Sequence, residues 1–384
     1  MQQRVADIIG VFMSSTIAPS PSLPVVTLVA PSPPPVTGQS SYSLYLAKRL
    51  EPYGLEDLTR SGRDEKAGVL GYVRKAFDSA DVAWRLLIGR RRATVFIVLD
   101  GGLGLLFDLL FVAILRLRRV RKILLSHHSF AYIDRPSWLM RAIEAVARPS
   151  ATHLFLCERM RAGFSARYGR NSSGLVLSNA RRVAKARAPI SAPMPTEFTL
   201  GYLSNLSFEK GISEFFDLID ILTKKGLSFG ATIAGPASSD EVAEFVQARL
   251  DACGGRVRWL GPVYGAQKEE FLSQLSVLVF PTKYVNEAQP NVLFEALSHG
   301  VPVVSIARGC VDEDMNGCLS HVARSPESFL EEAVPHIMWL ADRTRAGEGE
   351  EIRSAVARSF MEKHSSSVAA EQKLLELILS DPKQ

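Results

Sequence analysis

The chain is poor in cysteine and in unbroken apolar sequence, and each shortage removes a class of protein. Its four cysteines, Cys157, Cys253, Cys310 and Cys318, form no CxxC pair and no ligand spacing with the histidines. Neither a zinc site nor a disulfide framework is expected, and a reducing cytoplasm is the default setting. The most apolar stretch, Leu103 to Leu115, is split by Asp108 and falls short of the roughly 20 apolar residues that a bilayer span demands. The first two dozen residues hold a short apolar patch broken by Asp7 and then a Ser/Pro-rich tract, not the longer apolar core and small-residue cleavage site of a signal peptide. Residues 1–24 are therefore read as an extension outside the fold, a disordered stretch or short helix. Aromatic residues make up 8 % of the chain, they do not interleave with the basic cluster between Arg85 and Lys122, and no nucleic-acid module is visible, so nucleic acid is not an expected partner. No GxGxxG follows a strand at either domain start inferred below, which disfavours a nicotinamide-dependent enzyme.

What is present suits a two-domain globular protein. The chain has 384 residues, 47 % hydrophobic and 22 % charged, with a net charge of +5. The basic excess is local: Arg90, Arg91 and Arg92 precede the apolar run, and Arg116, Arg118, Arg119, Arg121 and Lys122 follow it. Apolar side chains flanked by Arg and Lys describe a helix lying on an anionic membrane surface. A partly buried crossover helix with a solvated basic end is the competing reading. The location expected is cytoplasmic, peripheral on the inner face of a membrane under the first reading.

Short β-branched runs alternate with helical patterns along the whole chain. Val25 to Ala30, Val95 to Leu99, Lys122 to Ser126, His153 to Cys157 and Leu175 to Leu177 read as buried strands of one parallel sheet. Arg181 to Glu197 shifts in composition and marks a hinge. Phe198 to Tyr202, Gly230 to Ala234, Val257 to Leu260, Val277 to Phe280 and Val301 to Ile306 then repeat the plan. The fold class expected is α/β, with two Rossmann-like domains facing each other across a cleft. Residues 25–190 form the first domain, 191–355 the second, and 356–384 a helix that can pack back on the first.

The most informative segment is Asn286 to Val304, NEAQPNVLFEALSHGVPVV. Pro290 suits the first turn of a helix, Gly300 its left-handed cap, and Pro302 stops continuation. Glu287 then lies on the loop before the helix and Glu295 inside it, eight positions later. The N–H groups of Asn291 and Val292 sit at the positive end of the helix dipole, a place for a diphosphate.

This segment resembles the Glu-x7-Glu signature of retaining glycosyltransferases with the GT-B fold, family 4 (glycosyl transferases group 1). Ala288, Gln289 and Pro290 stand where that family usually has Gly-Phe-Gly. The resemblance implies that Glu287 touches the donor sugar and stabilises positive charge at the anomeric carbon, and that Glu295 accepts from the ribose hydroxyls. Further matches follow in family order. Phe198 to Gly211, FTLGYLSNLSFEKG, is similar to the family's strand and GRL...EKG loop, which puts Lys210 on the donor diphosphate and Asn205 at the position of the family's second cation, an arginine. Ile233 to Pro236 and Val257 to Tyr264 resemble the strand ends lining the nucleobase pocket, with Gly235 and Val263 as wall residues. Pro33 to Ser40 looks like the family's Pro-Pro-x-x-Gly-Gly loop, with Gly38 near the diphosphate or acceptor. Leu124 to Phe130, LLSHHSF, resembles a strand ending in Thr-x-His; His128 would meet the 6-hydroxyl region of the donor sugar, and His127 is the fallback.

Taken together the resemblance implies a transferase that moves a sugar from a nucleoside diphosphate sugar to a glycan, lipid-linked or small-molecule acceptor, with no cofactor and no metal. Lys210 and helix N–H groups would supply the charge stabilisation that a divalent ion gives elsewhere. A non-catalytic nucleotide-sugar binder, kept alive by Asn205, and an epimerase or phosphorylase on the same fold are the alternatives.

Overall fold

The computed structural model describes residues 26–33, 37–61, 68–89, 92–148, 150–169, 174–184 and 197–380. The N-terminal extension, residues 34–36 of the proline-rich loop, and Arg90 and Arg91 of the basic cluster lie outside them.

Two six-stranded sheets form the frame. In the first half the strands are β1 (Val26–Val29), β3 (Leu55–Asp57), β5 (Thr94–Val98), β6 (Lys122–Ser126), β7 (Ala151–Phe155) and β8 (Gly174–Val176), ordered β3-β1-β5-β6-β7-β8. In the second they are β9 (Thr199–Leu203), β10 (Gly230–Ala234), β11 (Val257–Trp259), β12 (Val277–Phe280), β13 (Val303–Ile306) and β14 (His321–Ala323), ordered β11-β10-β9-β12-β13-β14. All pairings are parallel. β2 (Pro31–Ser32) and β4 (Arg60–Ser61) make a small side ribbon. β1, β5, β12 and β13 are buried at every position, which is why they read as continuous apolar runs: a parallel sheet is covered on both faces. In the second sheet the chain first builds outward from β9 through β10 and β11, then restarts on the other side at β12. That reversal opens a crevice beyond the carboxyl ends of β9 and β12, the place where open α/β sheets bind ligands.

Helices Gly68–Ile88, Leu105–Leu117 and Trp138–Ala147 contribute Val82, Leu86, Phe111, Val112, Leu115, Met140 and Ile143 to one face of the first sheet. The apolar run is therefore a crossover helix. Asp108 does not merely interrupt it: fully buried, Asp108 pairs with Arg60 at 2.8 Å and accepts the Asp100 N–H at 2.8 Å, and Lys75 meets Asp100 at 2.9 Å. The opposite face is covered by helix Gly38–Leu50, through Tyr42, Leu46 and Leu50, and by the end of the long helix Gly349–Leu379, through Leu374, Leu375 and Ile378. That last helix starts in the other half, where Ile352, Val356 and Phe360 join the second core.

One expectation about cysteine is overturned. Cys157 and Cys310 form a disulfide, with 5.9 Å between Cα atoms. They are 153 residues apart and carry no local motif, so only the docking of the two halves reveals the pair. Cys253 and Cys318 remain free. The bond also removes the argument that unpaired cysteines point to a reducing compartment.

Candidate active site

The Glu-x7-Glu segment adopts the geometry its punctuation predicts. Helix Asn291–Ser298 starts after Pro290, whose ψ of 127° is extended, and stops at His299. Gly300 has φ +71°, and a Cβ there would meet the Arg353 carbonyl at 2.6 Å, so only glycine lets the helix end against the long C-terminal helix.

The carboxyl ends of β9 to β12 and this helix enclose a cavity of about 300 Å³, at the small end of the range for ligand pockets. Ser204, Asn205 and Lys210 reach it from the loop after β9, Gly235 from just beyond β10, Val263 from the loop after β11, and Glu287, Asn291, Val292 and Glu295 from the segment after β12. Gly235 has φ +128°, and a Cβ on it would sit 1.7 Å from the Ser204 carbonyl. The backbone of that wall is thus locked to the loop carrying Asn205.

Both glutamates are paired with lysines. Lys210 Nζ bonds Glu287 Oε2 and lies 4.6 Å from the Tyr284 ring centre. Lys268 Nζ, on helix Ala266–Ser273, meets Glu295 Oε1 at 2.8 Å. Lys268 was not anticipated; its segment, AQKEEFLS, reads as an ordinary surface helix, and no local signal marks it. Each ion pair is partly exposed, so its net contribution to stability is small, and its partners can exchange for ligand groups at little cost.

The first domain contributes less than the sequence implied. His127 is fully buried, bonded to Tyr132 Oη at 3.0 Å and His153 Nδ1 at 2.9 Å, and stacked on Phe155. Burial holds its imidazole well below the usual range. It is a core residue and cannot reach a ligand, which corrects its assignment as a substrate contact. His128 is not among the residues lining the cavity. Its ring packs on Tyr42, 4.2 Å between centres, and Nε2 lies 2.9 Å from Ser126 Oγ. Burial, then Arg182 and Arg181, lower its pKa to about 3, so it is neutral at every ordinary pH. Gly38 begins its helix, with Thr37 as the N-cap, on an exposed turn.

Gln289, noted in the sequence only as a replacement, ties the halves together. Its Oε1 accepts the Asn179 N–H at 2.7 Å, and its Nε2 reaches the Asp314 carboxyl at 2.9 Å and the Leu156 carbonyl at 3.2 Å. Burial pushes the Asp314 carboxyl up to about 8, against the hydrogen bond from Gln289. Nearby, Glu313 accepts the N–H groups of Glu158 and Arg159 at 2.9 and 2.8 Å, at the start of helix Glu158–Tyr168.

Comparison with known proteins places this geometry. Residues 197–337 match the family described as Glycosyl transferases group 1. No curated protein matches the sequence. Among solved structures, the chain is similar to Anabaena HepE in complex with UDP, with TM-score 0.64, 14 % identity, and coverage of 93 % of this chain and 99 % of that one. It is also similar to sucrose-phosphate synthase from Thermosynechococcus elongatus, with TM-score 0.64, 13 % identity and coverage of 93 % and 98 %. The lipopolysaccharide outer core galactosyltransferase WaaB in its apo form gives TM-score 0.62, 17 % identity and coverage of 90 % and 99 %. Residues 197–337 are therefore a glycosyl transferases group 1 domain, carried on the two-domain GT-B frame.

Proposed function

We propose that this chain transfers a sugar of hexosyl type from a nucleoside diphosphate sugar to a glycan, lipid-linked or small-molecule acceptor, with retention of anomeric configuration, in polysaccharide or glycoconjugate synthesis. The observation that carries the reading is the convergence of Lys210, Glu287, Glu295 and the N-terminus of helix Asn291–Ser298 in one cavity. On donor binding the lysine–glutamate pairs exchange partners. Lys210 turns to the diphosphate, Glu287 to the sugar and Glu295 to the ribose, while Val263 and Gly235 present main chain to the base. Gly38 and a neutral, hydrogen-bonding His128 serve the facing wall.

In the reaction the bond from the anomeric carbon to the β-phosphate oxygen breaks and the acceptor oxygen bonds to that carbon on the same face. The acceptor's proton passes to the departing phosphate. Negative charge growing on the nucleotide is met by Lys210 and by the N–H groups of Asn291 and Val292. Glu287 opposes the positive charge developing at the anomeric carbon, and the scheme invokes no metal.

The work site we propose is cytoplasmic and peripheral, with the first domain against an anionic membrane. No helix among the described residues is long and apolar enough to cross a membrane. The surface that supports docking differs from the one expected. Arg92 is held by Glu56 at 2.7 Å and Lys122 by the Leu377 carbonyl at 2.8 Å, so neither is available to lipid. Exposed apolar side chains instead line the outer face of the helix layer: Phe77, Trp84, Leu106, Leu110, Leu117 and Trp138, with Trp84 59 % and Leu117 74 % accessible. Arg119 and Arg121 are exposed at one end. Apolar area rimmed by arginine fits the headgroup boundary of an anionic bilayer. Burial of the Cys157–Cys310 pair, at 2 % and 0 % exposure, keeps small thiols from it there.

The test is incubation with UDP-, GDP- and ADP-sugars and candidate acceptors, with mass spectrometry of released nucleotide and NMR of the product's anomeric proton. UDP-sugars come first because HepE has been solved with UDP-glucose. A retained-configuration glycoside supports the reading; donor bound but never consumed supports the non-catalytic alternative.

A further inference from the structure

Two arginines stand side by side in the turn after β8, and only one of them is neutralised. Arg181 meets Glu371 at 3.3 Å and donates to the carbonyls of Leu177 and Ser178 at 2.7 and 2.6 Å. Arg182 has no carboxylate partner among the described residues. Its Nη1 makes two long contacts, both 3.4 Å, to Asn179 Oδ1 and Asn291 Oδ1. Its Nε is buried with nothing among the described residues to donate to. The rings of Tyr42 and Tyr45, 5.5 and 5.7 Å away, hold the guanidinium in place. Burial, then Arg181, lower its pKa to about 10, so it is still charged at neutral pH. A largely buried cation without a counter-ion is costly, and a protein retains one where an anion is to arrive.

The position of Arg182 says which anion. Asn291, its contact, is the first residue of the helix whose N-terminus lines the donor cavity, and Glu295 on the same helix favours the charged guanidinium. Asn205, which also lines that cavity, is neutral, and among the described lining residues there are Lys210 and the helix N–H groups for a diphosphate but no guanidinium.

We infer that Arg182 is the second phosphate-binding cation of the donor site, supplied from the inter-domain turn in place of the one that Asn205 does not provide. The inference rests on the proposed donor site. A guanidinium presents a fork of donors that matches two phosphate oxygens, and here the fork comes from the inter-domain turn, with its guanidinium over the first-domain rings of Tyr42 and Tyr45. The unused Nε is the donor that completes the fork.

The experiment is calorimetry with UDP, GDP, ADP and inorganic pyrophosphate on the wild type and on Arg182→Gln, Arg182→Lys and Arg182→Gln/Asn205→Arg, with thermal midpoints measured in parallel. For whichever nucleotide the wild type binds, Arg182→Gln weakens binding by about 10- to 100-fold, the value of a charge-assisted contact. Arg182→Lys loses less, and Asn205→Arg restores most of the loss. Rescue from the loop after β9 is what a merely structural arginine would not show. Undiminished nucleotide affinity in a folded Arg182→Gln, or a loss that Asn205→Arg leaves untouched, overturns this inference alone. A wild type that binds none of the four probes overturns the donor reading and this inference with it.

Discussion

Cys157, just beyond β7 in the first domain, is disulfide-bonded to Cys310, beyond β13 in the second, with 5.9 Å between their Cα atoms. The bond closes a long loop and fixes the base of the cleft, where Gln289, Asp314 and Glu313 already join the halves. Denatured without reductant, the protein should titrate two thiols, those of Cys253 and Cys318. Four thiols would refute the bond. Cys157→Ser/Cys310→Ser should lower the thermal midpoint, by an amount equivalent to at most about 5 kcal/mol for a loop of this length.

Asp314 makes stability depend on pH in an unusual direction. Its folded-state pKa is raised to about 8 by burial, so the folded protein keeps a proton that the unfolded chain releases above about pH 4. The stability this group contributes is full below the unfolded value and falls as pH rises toward 8, by at most about 1.4 kcal/mol per pH unit. Thermal midpoints of the wild type should decline between pH 5 and 8, and Asp314→Asn should flatten that decline. Parallel profiles for the two proteins would place the slope elsewhere.

Glu295→Ala should weaken nucleotide-sugar binding by about 1.5 to 3 kcal/mol, the worth of the charge-assisted hydrogen bonds proposed between Glu295 and the ribose. Lys268, left unpaired in that variant, cannot compensate, because a lysine has no acceptor to offer a hydroxyl. Calorimetry gives the number directly; an unchanged affinity in a folded variant would take Glu295 out of the site.

On the membrane, apolar contact should outweigh charge. Trp84→Asp and Leu110→Asp, both at exposed positions, should abolish co-sedimentation with anionic vesicles while leaving the thermal midpoint nearly unchanged. Arg119→Gln/Arg121→Gln should weaken it by about 1 kcal/mol per residue and make it less sensitive to salt. Wild-type protein that stays in the supernatant with anionic and zwitterionic vesicles alike would mean a water-soluble acceptor.

The sequence exposed the parts of the fold whose signal is local. Central strands such as Val277–Phe280 are legible because both faces are buried, whereas the edge strands Leu55–Asp57 and His321–Ala323 are not, because three residues of mixed polarity and partial exposure carry no pattern. Glu287 and Glu295 were legible because Pro290, Gly300 and Pro302 punctuate their helix. Lys268 and Arg182 were not: the first lies 27 residues from Glu295, the second 109 from Asn291, and only tertiary packing sets them beside the cavity. His127 misled for the opposite reason. A histidine at a strand's end reads as a site residue, and only the stacking of Phe155 and His153 around it shows that it is core.

Lys210 and Glu287 are proposed to act on one bound nucleotide sugar. Turnover of the donor accepted by the wild type, measured as nucleotide released with acceptor present, tests it most directly in Lys210→Ala and Glu287→Gln. Lys210→Ala should leave little activity, and Glu287→Gln should lower kcat far more than donor affinity, because the contact proposed for Glu287 strengthens as charge develops in the transition state. Wild-type rates in either folded variant would contradict it.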